Sequence, residues 1–154
     1  MAEEGFGAEP PLARLLLLAS RWFDARSLEE LERRGWPRLS PAQSLVFAHV
    51  GEDRVAPAEL ARRLGHSRQA THQLVDGLVR LGLLQVLDDP GRRGGRLVQV
   101  TAQGRRLAVD AYGILLGLEH GLGARRVRTL RRLLAGFDDG PPQVGRPRPA
   151  DGGG

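Results

Sequence analysis

Between residues 67 and 76 the sequence S-R-Q-A-T-H-Q-L-V-D sets Arg68, Gln69, His72 and Gln73 within two turns of each other at helical spacing. At 100° per residue, Ala70, Leu74, Leu78 and Leu81 gather on one side of such a helix, while Arg68, Gln69, His72, Gln73 and Asp76 fall mainly on the other. These polar side chains suit the reading of base edges. Arg pairs with guanine O6 and N7, and Gln with adenine N6 and N7, each pairing worth about 1–3 kcal/mol of discrimination. Further along, Arg92, Arg93 and Arg96 crowd the glycine-rich stretch D-P-G-R-R-G-G-R. There the backbone can approach a phosphate closely, and an Arg can enter a narrow minor groove. An ordinary amphipathic surface helix and a solvated charged turn use the same residue types, so the surrounding elements must decide.

Those elements can be read from caps and periodicity. Ser40 followed by Pro41 is a helix start, an N-cap hydroxyl with Pro at the first helical position, and Leu45, Val46 and Val50 supply the apolar stripe of a helix running to about Val50. A polar loop, G-E-D-R-V-A, leads to P-A-E-L-A-R-R-L-G, a short helix from Pro57 stopped by Gly65. Ser67 caps the next helix, the one carrying the polar face, and is itself counted among the candidate nucleic-acid contacts. Two helices joined by the tight L-G-H-S turn form a helix-turn-helix. The segments 83–88 (L-L-Q-V-L-D) and 96–101 (R-L-V-Q-V-T) read as two short strands, so the basic stretch between them is the tip of a β-hairpin. Helix-turn-helix followed at once by a basic two-stranded wing predicts a winged helix.

At either end lie further helices. From 11 to about 35, Leu12, Leu15, Leu16, Ala19 and Phe23 recur at helical spacing, and the run from Leu15 to Leu18 wraps most of the circumference. A helix apolar nearly all round needs two partners, one of which can be a second subunit. Thr101 caps a long helix with Leu107, Ala111, Leu115, Leu118 and Leu122 on one face, interrupted by several glycines, and a last helix carries Val127, Leu130, Leu133, Leu134 and Phe137. Residues 1–10 and 138–154 are rich in Gly, Pro and charge and are expected to be disordered tails. The expected fold is all-α with a small β-wing: a winged helix-turn-helix lobe at about 40–101, flanked by a helix at 11–34 that is a candidate dimerisation element and by helices at 102–137.

Charge and composition narrow the function. The 154 residues hold 41% hydrophobic side chains, enough for one compact unit with a core. All 23 basic residues are Arg, against 18 acids, for a net charge of +5. Residues 62–106 alone carry 9 Arg and 3 acids, whereas residues 1–61 carry 7 Arg and 10 acids. A positive segment so concentrated suits a polyanion, because Arg gains by displacing counterions from phosphate. The absence of Cys excludes disulfides, thiolate metal sites and thiol-based redox sensing in this chain. The longest purely apolar run, residues 15–19, is too short to span a bilayer, and the acidic start lacks a basic signal-peptide region. The expectation is a cytoplasmic protein without a membrane partner.

The stretch from Glu59 to Thr101 resembles the MarR family of bacterial winged-helix regulators. The matching segments are E-L-A-R-R-L-G with S-R-Q-A for the turn, Q-L-V-D-G-L for the recognition helix, G-L-L for the first wing strand, D-P with an Arg-rich tip, and L-V-Q-V-T-A-Q-G leading into the next helix. The flanking helices from about 12 to 137 fit the family layout. The resemblance implies an obligate homodimer whose first and last helices interlock, bound to double-stranded DNA, and in many members a repressor released by a small aromatic or phenolic effector. Two departures stand out. Arg92 occupies the place where family wings commonly carry an acid, with Gly94 where a second Arg is frequent, so the usual Asp-to-Arg brace within the wing is in question and Arg93 is the best-matched tip residue. Gln73 replaces an Arg often found at its position.

Trp22, Trp36, Phe47, His49 and Tyr112 form a candidate effector pocket between the dimer helices and the DNA-binding lobe; the alternative is that they are core or interface anchors. Enzyme chemistry is not indicated. His49, His66, His72 and His120 lack H-x-x-x-H or H-E-x-x-H spacing, and there is neither a nucleophile elbow nor a phosphate-cradling loop ahead of a helix. No metal or cofactor is expected. A winged helix that binds protein or RNA remains the alternative to duplex DNA, because the fold does not set the partner.

Overall fold

The computed structural model describes residues 9–51 and 53–137. By compactness the chain divides within its fifth helix, into a unit up to Leu116 and a unit from Gly117. The first unit holds α1 (Leu12–Arg33), α2 (Pro41–Val50), α3 (Pro57–Leu64), α4 (Arg68–Arg80), β1 (Leu84–Asp88), β2 (Arg96–Val100) and most of α5 (Ala102–Leu122). The second holds the end of α5, α6 (Ala124–Leu134) and a closing 3-10 turn over Ala135–Phe137. An all-α fold with a small β-wing is therefore present. The two tails called disordered from composition lie, but for Glu9 and Pro10, outside the described residues.

Side-chain caps start three of the helices. Ser40 Oγ accepts from Gln43 N at 3.1 Å while Gln43 Oε1 accepts from Ser40 N at 2.9 Å, a reciprocal capping box ahead of α2. Ser67 Oγ accepts from Ala70 N at 3.1 Å to open α4, and α3 ends on the left-handed Gly65. Thr101 Oγ1 accepts from Gly104 N at 3.0 Å and donates to the Gly82 carbonyl at 2.6 Å, tying the start of α5 to the entrance of the wing. With its hydroxyl so engaged, Thr101 follows β2 instead of belonging to it. β1 likewise starts one residue later than the sequence pattern indicates, at Leu84.

The strands pair antiparallel, from Leu84 opposite Val100 to Asp88 opposite Arg96. Val55, in the segment expected to be a plain polar loop, adds a bridge: its N–H donates to the Val98 carbonyl at 2.9 Å and its carbonyl accepts from Val98 N at 2.8 Å. Val55 is the one large apolar residue of that loop, and it is buried. The core beneath is formed by Val46, Leu60, Leu78, Leu83, Leu84 and Val98, all fully buried, with Thr71 donating its hydroxyl proton to the Ser67 carbonyl at 3.0 Å. Burial of this apolar set holds α2, α3 and α4 against the wing, at about 1.5–3 kcal/mol per large side chain.

The outer end of α1 is different. Of its residues only Ser27 and Leu31 are buried, while Leu12, Leu15, Leu17, Leu18 and Trp22 are exposed. Leu130, Leu133 and Leu134 are exposed likewise on α6, where Arg131 pairs with Glu119 of the same unit. No helix among the described residues is long and apolar enough to cross a membrane.

Candidate nucleic-acid interface

The exposed face of α4 and the wing enclose one cleft of about 800 Å³. Arg68, Gln69, His72 and Gln73 line it from the first two turns of α4, and Arg92, Arg93 and Arg96 line it from the wing, with residues 56–58 as its floor at the start of α3. The buried residues Thr71, Val75 and Leu78 hold the opposite side of α4, so the polar side chains have nowhere to go but outward. Seven of the eight side chains singled out in the sequence thus converge. Ser67 does not line this cleft. Its hydroxyl is committed to capping α4, and it borders a neighbouring groove with Gln43, His66, Gln73 and Arg80.

The charge in the cleft is positive and largely uncommitted. Among the described residues Arg68, Arg92 and Arg93 make no side-chain hydrogen bond or ion pair, and all three are exposed. Arg96 is braced by Asp88, directly opposite in the strand register, with Nη1 3.1 Å from Oδ1. An Asp-to-Arg brace therefore does exist in this wing, across the strands just below the tip. His72 lies 3.7 Å from Asp76 on the next turn of α4.

Backbone geometry sets the tip. Asp89 Oδ1 accepts from Gly91 N at 2.9 Å, Asp89 N donates to the Gly95 carbonyl at 2.9 Å, and Gly95 N donates to the Arg92 carbonyl at 2.8 Å. A Cβ at Gly95 would sit 2.9 Å from both the Arg92 carbonyl oxygen and the Asp89 Cβ, so only glycine lets the turn close this tightly. Asp89 was no candidate in the sequence reading. It shapes the loop that presents Arg92 and Arg93.

Along α3 runs a small ionic network. Glu59 accepts from Arg62 at 2.7 and 2.8 Å and from Arg63 at 2.8 Å, and Arg63 Nη1 donates to the His49 carbonyl at 3.0 Å, linking α3 to the last turn of α2. The hydrogen bonds from Arg62, and then from Arg63, hold the Glu59 carboxyl at about 2, well below its ordinary 4.5. Because the folded value is the lower one, the pairing contributes above the ordinary carboxylate range and is lost as the pH falls toward 2. Carboxyl-carbon NMR is expected to show Glu59 titrating near the bottom of the acid range, and Arg62→Ala is expected to move its midpoint back upward.

The aromatic candidates do not all meet. Phe47 and Tyr112 line a cleft of about 330 Å³ between α1, α2 and α5. Trp36 borders a separate groove along α5, where its indole N–H donates to Asp110 Oδ2 at 2.8 Å. Trp22 packs edge-on against Phe23, ring centroids 5.0 Å apart, and His49 engages Arg63 through its backbone; neither lines the Phe47–Tyr112 cleft. Among the described residues no group of three or more His, Asp or Glu side chains is placed to hold a metal ion.

Comparison with known proteins agrees with the fold. The MarR family profile matches residues 39–94, which span α2, α3, α4 and the wing tip. Apo wild-type MarR from E. coli superposes with a TM-score of 0.66 at 26% identity, over 84% of this chain and 98% of that one. A transcriptional regulator from Thermotoga maritima matches with a TM-score of 0.59 at 20% identity, over 85% and 94% of the two chains. A mutant MepR from S. aureus bound to an oligodeoxyribonucleotide matches with 0.55 at 16% identity, over 85% and 98%. No curated protein matches significantly by sequence. The profile match across residues 39–94, and the fold of E. coli MarR over nearly its whole length, bear out the resemblance read from the sequence: the chain has the winged helix-turn-helix fold of E. coli MarR, and its segment 39–94 matches the MarR family.

Proposed function

We propose that this protein is a sequence-specific, double-stranded-DNA-binding transcriptional regulator that works as a homodimer, represses by blocking a promoter, and answers to a small effector. The observation that carries this reading is the single cleft in which base-reading side chains of α4 face the unpaired arginines of the wing. In this mode α4 enters the major groove with Arg68, Gln69, His72 and Gln73 at base edges, and Arg92 and Arg93 reach phosphate or the adjacent minor groove. The oligonucleotide-bound MepR supports it through a shared fold. The apolar side chains left exposed along α1 and α6 are what a second copy would cover. A twofold dimer then asks for a roughly palindromic operator with half-sites about 10 bp apart. The effector would occupy the Phe47–Tyr112 cleft.

Selection from a genomic fragment pool at two salt concentrations tests the reading. The expected result is an enriched inverted repeat with half-sites one helical turn apart, bound less tightly at higher salt. Salt-sensitive binding without a motif would favour RNA or architectural binding, and no binding at either salt would favour a protein-docking winged helix.

A further inference from the structure

The cleft between α1, α2 and α5 is apolar apart from three groups: the Asp24 carboxylate, the Ser44 hydroxyl and the Tyr112 phenol. Leu31 and Leu107, both buried, form part of its floor, and Phe47 adds an aromatic wall. Among the described residues no Arg or His lines it, in a chain with 23 Arg. Asp24 makes no ion pair or side-chain hydrogen bond among the described residues. A partly buried carboxylate beside an apolar surface, with no cation to answer it, disfavours a second negative charge and favours a positive one.

We infer that this cleft takes a cationic aromatic amphiphile, an organic ammonium whose charge meets Asp24 while its ring lies between Phe47 and Tyr112. This rests on the reading of the cleft as the effector site and adds to it the sign of the ligand's charge. At about 330 Å³ the cleft is at the small end of ligand pockets, the size for a bicyclic ring system and not for a long chain. A carboxylate ligand would desolvate its charge with no guanidinium, imidazole or ammonium to pair it. An ammonium donates a charge-assisted hydrogen bond to the Asp24 carboxylate, and the rings of Phe47 and Tyr112 present negative faces that attract a cation.

Titration calorimetry of the full-length protein with naphthylmethylammonium, naphthylmethanol and naphthoate tests this, because the three probes share a ring and differ in charge. The ammonium is expected to bind most tightly and the carboxylate most weakly, with about tenfold or more between these two, the range of one charge-assisted hydrogen bond. Asp24→Asn is expected to remove the ammonium's advantage and to leave naphthylmethanol unchanged. Tyr112→Ala, at an exposed rim position, is expected to weaken all three probes together. Binding that senses Tyr112→Ala but shows no preference for the cation, or no response to Asp24→Asn, overturns the charge assignment and leaves the effector cleft standing. Failure of all three probes to bind overturns the cleft reading itself.

Discussion

Gly104→Ala is expected to destabilise the protein by about 3 kcal/mol, the upper range for forcing an extra carbon into a packed site. Gly104 is buried in the first turn of α5, and a Cβ there would land on the Leu83 carbonyl and 2.7 Å from Val100 Cγ1. Neither neighbour can yield cheaply. The Leu83 carbonyl accepts from Thr101 N at 3.1 Å, and Val100 is a buried residue of β2 paired with Leu84. The Thr101 cap, the wing entrance and α5 therefore move together or not at all. Thermal denaturation should show the midpoint falling by roughly 10 °C. Gly113→Ala, in the same helix with nothing near its added Cβ, should shift stability by less than about 1 kcal/mol and in the favourable direction, because glycine costs a helix about that much. Equal behaviour of the two variants would show that α5 does not approach the wing this closely.

The second large effect concerns DNA. Replacing Arg92 and Arg93 together by Ala is expected to weaken binding to the selected duplex about a hundredfold at physiological salt, and to lower the slope of log affinity against log salt by about 2. Both guanidiniums are exposed at the cleft and hold no other partner among the described residues, so their removal costs the fold little. Gln69→Ala or Gln73→Ala should act differently, shifting preference at single base pairs by about 1–3 kcal/mol while leaving the salt slope unchanged. Anisotropy titrations across a salt series separate the two classes. A double Arg variant with wild-type slope would remove the wing from the DNA-binding surface.

The contrast between Arg96 and its neighbours follows from geometry in the same way. Arg96 lies opposite Asp88 in the strand register and is braced by it, whereas Arg92 and Arg93 lie in the turn beyond the last pair. Its charge is the least available of the three. Its side chain bridges the strand ends from which the tip projects.

Helix and strand identity, the helix-turn-helix and the basic wing are legible in the sequence because the interactions behind them are local. Ser40, Ser67 and Thr101 each accept from a backbone N–H three residues ahead, and a polar or apolar face follows from a spacing of three or four. The grouping of Arg68, Gln69, His72 and Gln73 on one side of α4 has the same origin. What spacing does not carry is which face meets which. The Val55 bridge to Val98, the Asp88–Arg96 brace, the bond from Trp36 to Asp110 and the separation of Trp22 and His49 from the Phe47–Tyr112 cleft all join or part residues far apart in the chain or across a turn. Gly104 looks, as a letter, like a helix-weakening glycine, and only the arrival of the Leu83 carbonyl makes it a requirement. Packing decides these matters because it depends on the joint shape of several elements, and no single segment contains that shape.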